Sequence, residues 1–79
     1  MALPLLPPGL VIKILVGEGF QLRKKSGTDQ AYKRVLSNTS QTVIVPTHHP
    51  QVSRGVLRSI IKLAGWTEDE FLRLVAKYK

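Results

Sequence analysis

The sequence contains no cysteine, which excludes disulfide staples, thiolate zinc sites and cysteine nucleophiles together. That usage fits a reducing compartment, and a cytoplasmic protein is expected. Acids are scarce: five Asp and Glu stand against twelve Lys and Arg, a formal net charge of +7 with pI near 10.3. Such a balance points to a polyanionic partner, nucleic acid first and an acidic membrane surface second. Long apolar runs are also missing. The opening Met1-Ala2-Leu3-Pro4-Leu5-Leu6-Pro7-Pro8 is apolar but has no basic flank and is interrupted by prolines. It is too short and broken for a signal peptide or a spanning helix, and residues 1–8 read as an extended lead-in. At 79 residues the chain holds one domain and no deep pocket. A core of this size supplies only about 3–5 kcal/mol, so a protein partner or homo-oligomer is expected. The 43% hydrophobic content sets the chain apart from disordered polycationic tails.

The periodicity is informative along most of the chain. Pro7-Pro8-Gly9 opens a short helix in which Leu10, Val11, Ile14 and Leu15 form an apolar face, and Gly17-Glu18-Gly19 ends it. From Phe20 the period becomes two: Phe20 and Leu22 alternate with Gln21 and Arg23, and the strand runs on through Lys24 and Lys25. Ser26-Gly27-Thr28-Asp29 is a turn. Gln30 to Leu36 forms a second strand, with Tyr32, Arg34 and Leu36 on one face and Ala31, Lys33 and Val35 on the other. After the turn Ser37-Asn38-Thr39-Ser40, the β-branched run Thr42-Val43-Ile44-Val45 reads as the best-buried strand. Short turns joining three strands imply an antiparallel meander.

Two helices follow. Val52, Val56, Ile60 and Ala64 step by four, Leu57 and Ile61 widen the stripe, and Arg54, Arg58 and Lys62 form a basic ridge. Thr67-Glu68-Asp69-Glu70 is a capping box, with Trp66 and Phe71 as its hydrophobic staple. Trp66 is therefore assigned to the core. The class is α+β, a small three-stranded antiparallel sheet packed on helices, with one sheet face covered and the other free for contact.

The charge is concentrated. Residues 20–66 carry Arg23, Lys24, Lys25, Lys33, Arg34, Arg54, Arg58 and Lys62, eight bases against one acid, Asp29: 8 − 1 = +7, the whole net charge. This one-sidedness favours nucleic acid. No helix combines a basic face with a large exposed apolar one, so a membrane is not expected as a partner. Tyr32 could stack on a base, although a half-buried strand tyrosine is the simpler role.

Chemistry has few candidates. Glu68, Asp69 and Glu70 belong to helix initiation and Glu18 to a turn, which leaves Asp29 among the acids. His48-His49 in tandem is poor metal-ligand geometry, and neither metal nor cofactor is expected. RNA cleavage without metal needs a base for the 2′-hydroxyl, an acid for the leaving oxygen and cations for the phosphate. Histidine serves either proton role near neutrality.

The ordered set of a helix ending at Gly19-Phe20, a basic strand into a Gly-containing turn, Val45-Pro46-x-His48, Gly55-x-Leu57-Arg58-x-Ile60, Ala64-Gly65 and Thr67-x-x-Glu70-Phe71 resembles the HicA toxins. These are small messenger-RNA-cleaving proteins with a double-stranded-RNA-binding-domain-like fold. The resemblance spans roughly Leu10 to Val75. It implies an α-β-β-β-α order, here with a short C-terminal helix added, and a HicB-like antitoxin that covers the active surface. It also implies cleavage by a histidine in a Gly-Ser-His motif at the start of the second strand. This chain reads Gly27-Thr28-Asp29-Gln30 there. Three outcomes stay open: Asp29 serves as base, His48 supplies the imidazole, or the protein binds RNA and antitoxin without cleaving. The expected function is thus an RNA-binding toxin of a type II pair, a metal-independent endoribonuclease acting on mRNA. Asp29 and His48 would do acid–base work, with Arg23, Lys24, Lys25, Lys33, Arg34 and Arg58 on phosphates. The alternative is a catalytically weakened or inactive binding module of the same fold.

Overall fold

The computed structural model describes residues 3–79. The order is α1 (Pro8–Gly17), β1 (Gln21–Lys25), β2 (Asp29–Val35), β3 (Ser40–Pro46), α2 (Arg54–Leu63) and α3 (Glu68–Tyr78). The strands form one antiparallel meander with β2 in the centre, as the α+β reading requires. α1 and α2 pack on one sheet face, and α3 packs on both of these helices. With eleven residues α3 is no shorter than the ten-residue α2.

Alternation decides which sheet residues join the core. Tyr32 of β2 pairs with Val43 of β3, and Gln30 pairs with Val45. Tyr32, Val43 and Val45 are buried, whereas Ile44, one residue out of phase, is 56% exposed. One face is therefore closed by helices and the other is open. Beneath the closed face lie Val11, Ile14 and Leu15 of α1, Leu57, Ile60 and Ile61 of α2, Phe71 and Val75 of α3, and Phe20.

Each helix has a local cause. α1 begins with Pro8 in its first turn and ends where Gly19 takes φ +99°, a left-handed geometry that costs glycine little. α3 has the full capping box: the Glu70 N–H donates to Thr67 Oγ1 and the Thr67 N–H to Glu70 Oε1, each at 3.1 Å. The Trp66 and Phe71 rings lie 5.9 Å apart, completing the staple.

Two expectations are corrected and one, the lead-in, is refined. Val52 fits the step of four but precedes the helix; Ser53 is the N-cap, its hydroxyl accepting from the Val56 N–H, and Val52 pairs with Leu6 in an isolated antiparallel bridge. The lead-in, where described, is packed against the fold. Leu3 and Leu6 are buried, the Val52 N–H donates to the Leu6 carbonyl at 2.7 Å, and Arg54 Nε donates to the Leu3 carbonyl at 2.7 Å. The part of that segment at residues 1–2 lies outside the described residues. Third, strict alternation through β1 fails. Leu22 pairs with Tyr32 but Lys24 pairs with Ala31, so Arg23 is an extra residue in a β-bulge. The bulge moves Lys24 from the helix side to the open face.

Candidate functional site

The open face is assembled from alternate residues of the three strands. Asp29, Ala31 and Lys33 of β2 pair with Pro46, Ile44 and Thr42 of β3, and Lys24 joins opposite Ala31 because of the bulge. A shallow depression of about 190 Å³ lies at the β1–β2 turn end, lined by Lys24, Ser26, Asp29, Ala31 and Ile44.

The turn fixes Asp29 through its backbone. The Ser26 N–H donates to the Asp29 carbonyl at 2.9 Å, and the Ser26 hydroxyl contacts both that carbonyl and the Asp29 N–H at 3.1 Å. Among the described residues the carboxylate of Asp29 has no hydrogen-bond or ion-pair partner, so it stands available at the rim of the depression. The next segment docks on the same turn. The Thr47 N–H donates to the Thr28 carbonyl at 2.8 Å, and His48 Nδ1 lies 3.4 Å from that oxygen. His48 is thus brought to the end of the sheet where Asp29 follows Thr28 in the chain. His48 is exposed and stacks on His49 with ring centroids 3.9 Å apart; it does not line the depression. Among the described residues no three His, Asp or Glu side chains gather as a metal cage.

The basic residues divide into three groups. Lys24 and Lys33 share the open face, with Arg23 in the bulge and Lys25 at the exposed end of the edge strand. Arg58 lies on the exposed side of α2, on the helical layer, apart from these four. Arg34 belongs to neither surface. It points between the helix ends, where Nε and Nη2 donate to Gln41 Oε1 at 3.0 and 2.6 Å. Its Nη1 donates to the Glu18 carbonyl and Nη2 also to the Ala64 carbonyl, both at 3.1 Å, and the guanidinium lies 4.6 Å from the Phe20 ring centroid. Glu18 and Ala64 are the C-caps of α1 and α2, so Arg34 places a positive charge and several donors at two helix C-termini.

Tyr32 is buried and its hydroxyl donates to Gln30 Oε1 at 2.6 Å; loss of solvent pushes its pKa up. It cannot stack on a base without unfolding the sheet. Sequence reading missed the bulge that delivers Lys24 and the Thr28 carbonyl that gathers His48. Three consecutive basic residues beside a two-residue period give no mark of which one is extra.

Among the described residues no helix is long and apolar enough to cross a membrane. Curated proteins give no match to this sequence. A family model for the HicA toxin of bacterial toxin–antitoxin matches residues 11–66, which spans most of α1, the whole sheet, α2 and Trp66, and the chain belongs to that family.

Proposed function

We propose that this toxin binds messenger RNA on the open sheet face and cleaves it without metal at the depression beside Asp29. The observation that carries this reading is the convergence of Lys24, Ser26 and Asp29 around one depression, with His48 held at the neighbouring turn. A phosphate over Lys24 and Lys33 would set the adjacent 2′-hydroxyl near Asp29. The carboxylate takes the 2′-hydroxyl proton, the oxygen attacks phosphorus, and the imidazolium of His48 protonates the departing 5′-oxygen. The products are a 2′,3′-cyclic phosphate and a free 5′-hydroxyl. Lysine ammonium groups steady the charge that develops on the phosphoryl oxygens. On this reading Asp29 stands in for the motif histidine of HicA toxins, and the partner is a HicB-like antitoxin that would cover this face. The work is cytoplasmic, with no cofactor.

A second reading, a non-cleaving module that occupies RNA and antitoxin, is favoured by one observation: the depression itself contains no imidazole. Incubation of the protein with unstructured RNA in EDTA separates the two. Cleavage that falls about a hundredfold or more in Asp29→Ala and in His48→Ala supports the enzyme. An inert wild type with an active Asp29→His variant establishes the binding module. Cleavage unaffected by either alanine places the chemistry elsewhere.

A further inference from the structure

The helical side of the molecule carries a second feature that the open-face reading does not use. Between the end of α2 and the start of α3 is a notch of about 560 Å³, whose lining includes Arg58, Lys62, Trp66, Thr67 and Glu68. Its volume is in the range of small-ligand sites.

Trp66 is half-buried in it. The ring packs edge-on to Phe20, with centroids 6.0 Å apart and planes at 69°, and against Phe71 at 5.9 Å. These contacts and the capped start of α3 hold the indole in one orientation. Its N–H has no partner among the described residues and is not buried, so one edge of the platform remains wet. The single tryptophan of the chain is a rigid, partly exposed aromatic surface beside two cations.

Those cations are free. Arg58 and Lys62 are exposed and one helical turn apart, about 6 Å along the axis. Neither makes an ion pair among the described residues, where Lys77 and Glu18 do. Glu68 is the one acid in the lining. It offsets part of the charge at the α3 side and gives the notch polarity: phosphate is favoured over α2, and a group with N–H donors over α3. The N-terminus of α3 does not compete for phosphate, because Glu68, Asp69 and Glu70 fill its first turn with negative charge. Stacking surface, paired cations and a carboxylate that accepts from exocyclic amines together match a nucleotide of single-stranded RNA.

We propose that this notch is a second RNA contact, in which a base stacks on Trp66 and its flanking phosphates lie on Arg58 and Lys62. The proposal rests on the reading of RNA as the target. It assigns to RNA a face that lies on the helical layer, away from the sheet's open side.

Trp66 is the only tryptophan, so emission reports this ring; because the ring also borders Glu70 and Arg73 on its other side, the Arg58 and Lys62 variants assign a change to the notch. The experiment titrates the protein with a single-stranded cytidine hexanucleotide and follows Trp66 fluorescence, with the anisotropy of the same labelled RNA as an independent measure of binding. Saturable quenching is expected. Arg58→Gln with Lys62→Gln should weaken that quenching about tenfold or more without altering the melting temperature, and Lys24→Gln with Lys33→Gln should leave it in place. In anisotropy, Trp66→Leu should weaken binding about tenfold while Trp66→Phe retains it. RNA that binds by anisotropy with Trp66 emission unchanged, or with quenching indifferent to Arg58 and Lys62, overturns the notch while the RNA reading stands. Absence of any RNA binding overturns both. Quenching by poly-glutamate as strong as that by RNA assigns the notch to an acidic protein segment and overturns the proposal.

Discussion

Arg34 shows how a residue with the right charge can have another task. Its guanidinium serves Gln41 and the terminal carbonyls of α1 and α2, and covers Phe20. Removing it leaves two helix-end carbonyls and the Gln41 amide oxygen without their donor, and charge-assisted bonds of this kind contribute about 1.5–3 kcal/mol each before partial solvation is considered. Arg34→Ala should therefore destabilise the fold by about 3 kcal/mol in urea unfolding, a large share of the stability of a domain this small. Arg34→Lys should recover less than half, because a single ammonium cannot span the same acceptors. A loss below about 0.5 kcal/mol would make the cluster an ordinary surface contact. The side of the sheet on which Arg34 stands was legible from its alternation with Tyr32. What alternation cannot show is that two helix ends meet above that face, because Arg34 and Ala64 are 30 residues apart in the chain. Asp29 and His48 were legible as the few residues able to move a proton. Their proximity was not, because it depends on the Thr28 carbonyl receiving both Thr47 and His48.

At the scale of elements, legibility follows how local the cause is. The capping box of α3 and the glycine stop of α1 are written in consecutive residues, and both form as read. The start of α2 and the docking of the lead-in depend on Leu6 meeting Val52, a pairing with no sequence spacing to announce it. The docking of α3 on α1 is similarly distant. Tyr78 donates its hydroxyl to Glu18 Oε2 at 2.7 Å, Lys77 pairs with the same carboxylate at 3.6 Å, and the Tyr78 ring fills the space where a side chain at Gly17 would be. The bond to Glu18, with a smaller contribution from lost solvent, pushes the Tyr78 pKa up. A phenol with a raised folded-state pKa stabilises fully below its unfolded value near 10 and loses that contribution as pH climbs through the folded value. Melting temperatures followed between about pH 8 and pH 11 should fall more steeply for wild type than for Tyr78→Phe. Part of the alkaline decline should persist in the variant, since buried Tyr32 is shifted in the same direction. Parallel curves would show that the hydroxyl does not latch α3. Gly17→Ala tests the same contact by sterics. It should lower stability despite alanine's better helix propensity, because the added methyl meets the Tyr78 ring.

For the whole molecule, the +7 charge is distributed over two surfaces rather than one. Arg23, Lys24, Lys25 and Lys33 lie on the sheet and its exposed edge, Arg58 and Lys62 lie at the α2–α3 notch, and Arg34 is withdrawn into the fold. Arg54 gives one of its donors to Leu3, so it is left out of either set. Salt dependence counts how many of these bases meet phosphate. For single strands the slope of log affinity against log salt is about −0.7 per contact. Four contacts on the sheet alone predict a slope of about −3, and six contacts on both faces predict about −4. Longer RNA should therefore show the steeper value, and Arg58→Gln with Lys62→Gln should return it to the shallower one. A wild-type slope that already sits near −3 and ignores the α2 pair would confine RNA to the open face. A slope near zero would mean that the basic excess serves an acidic protein surface, with the open face and its exposed Ile44 as the docking area. The number of released counterions thus decides between one RNA surface, two, and none, which the net charge alone cannot do.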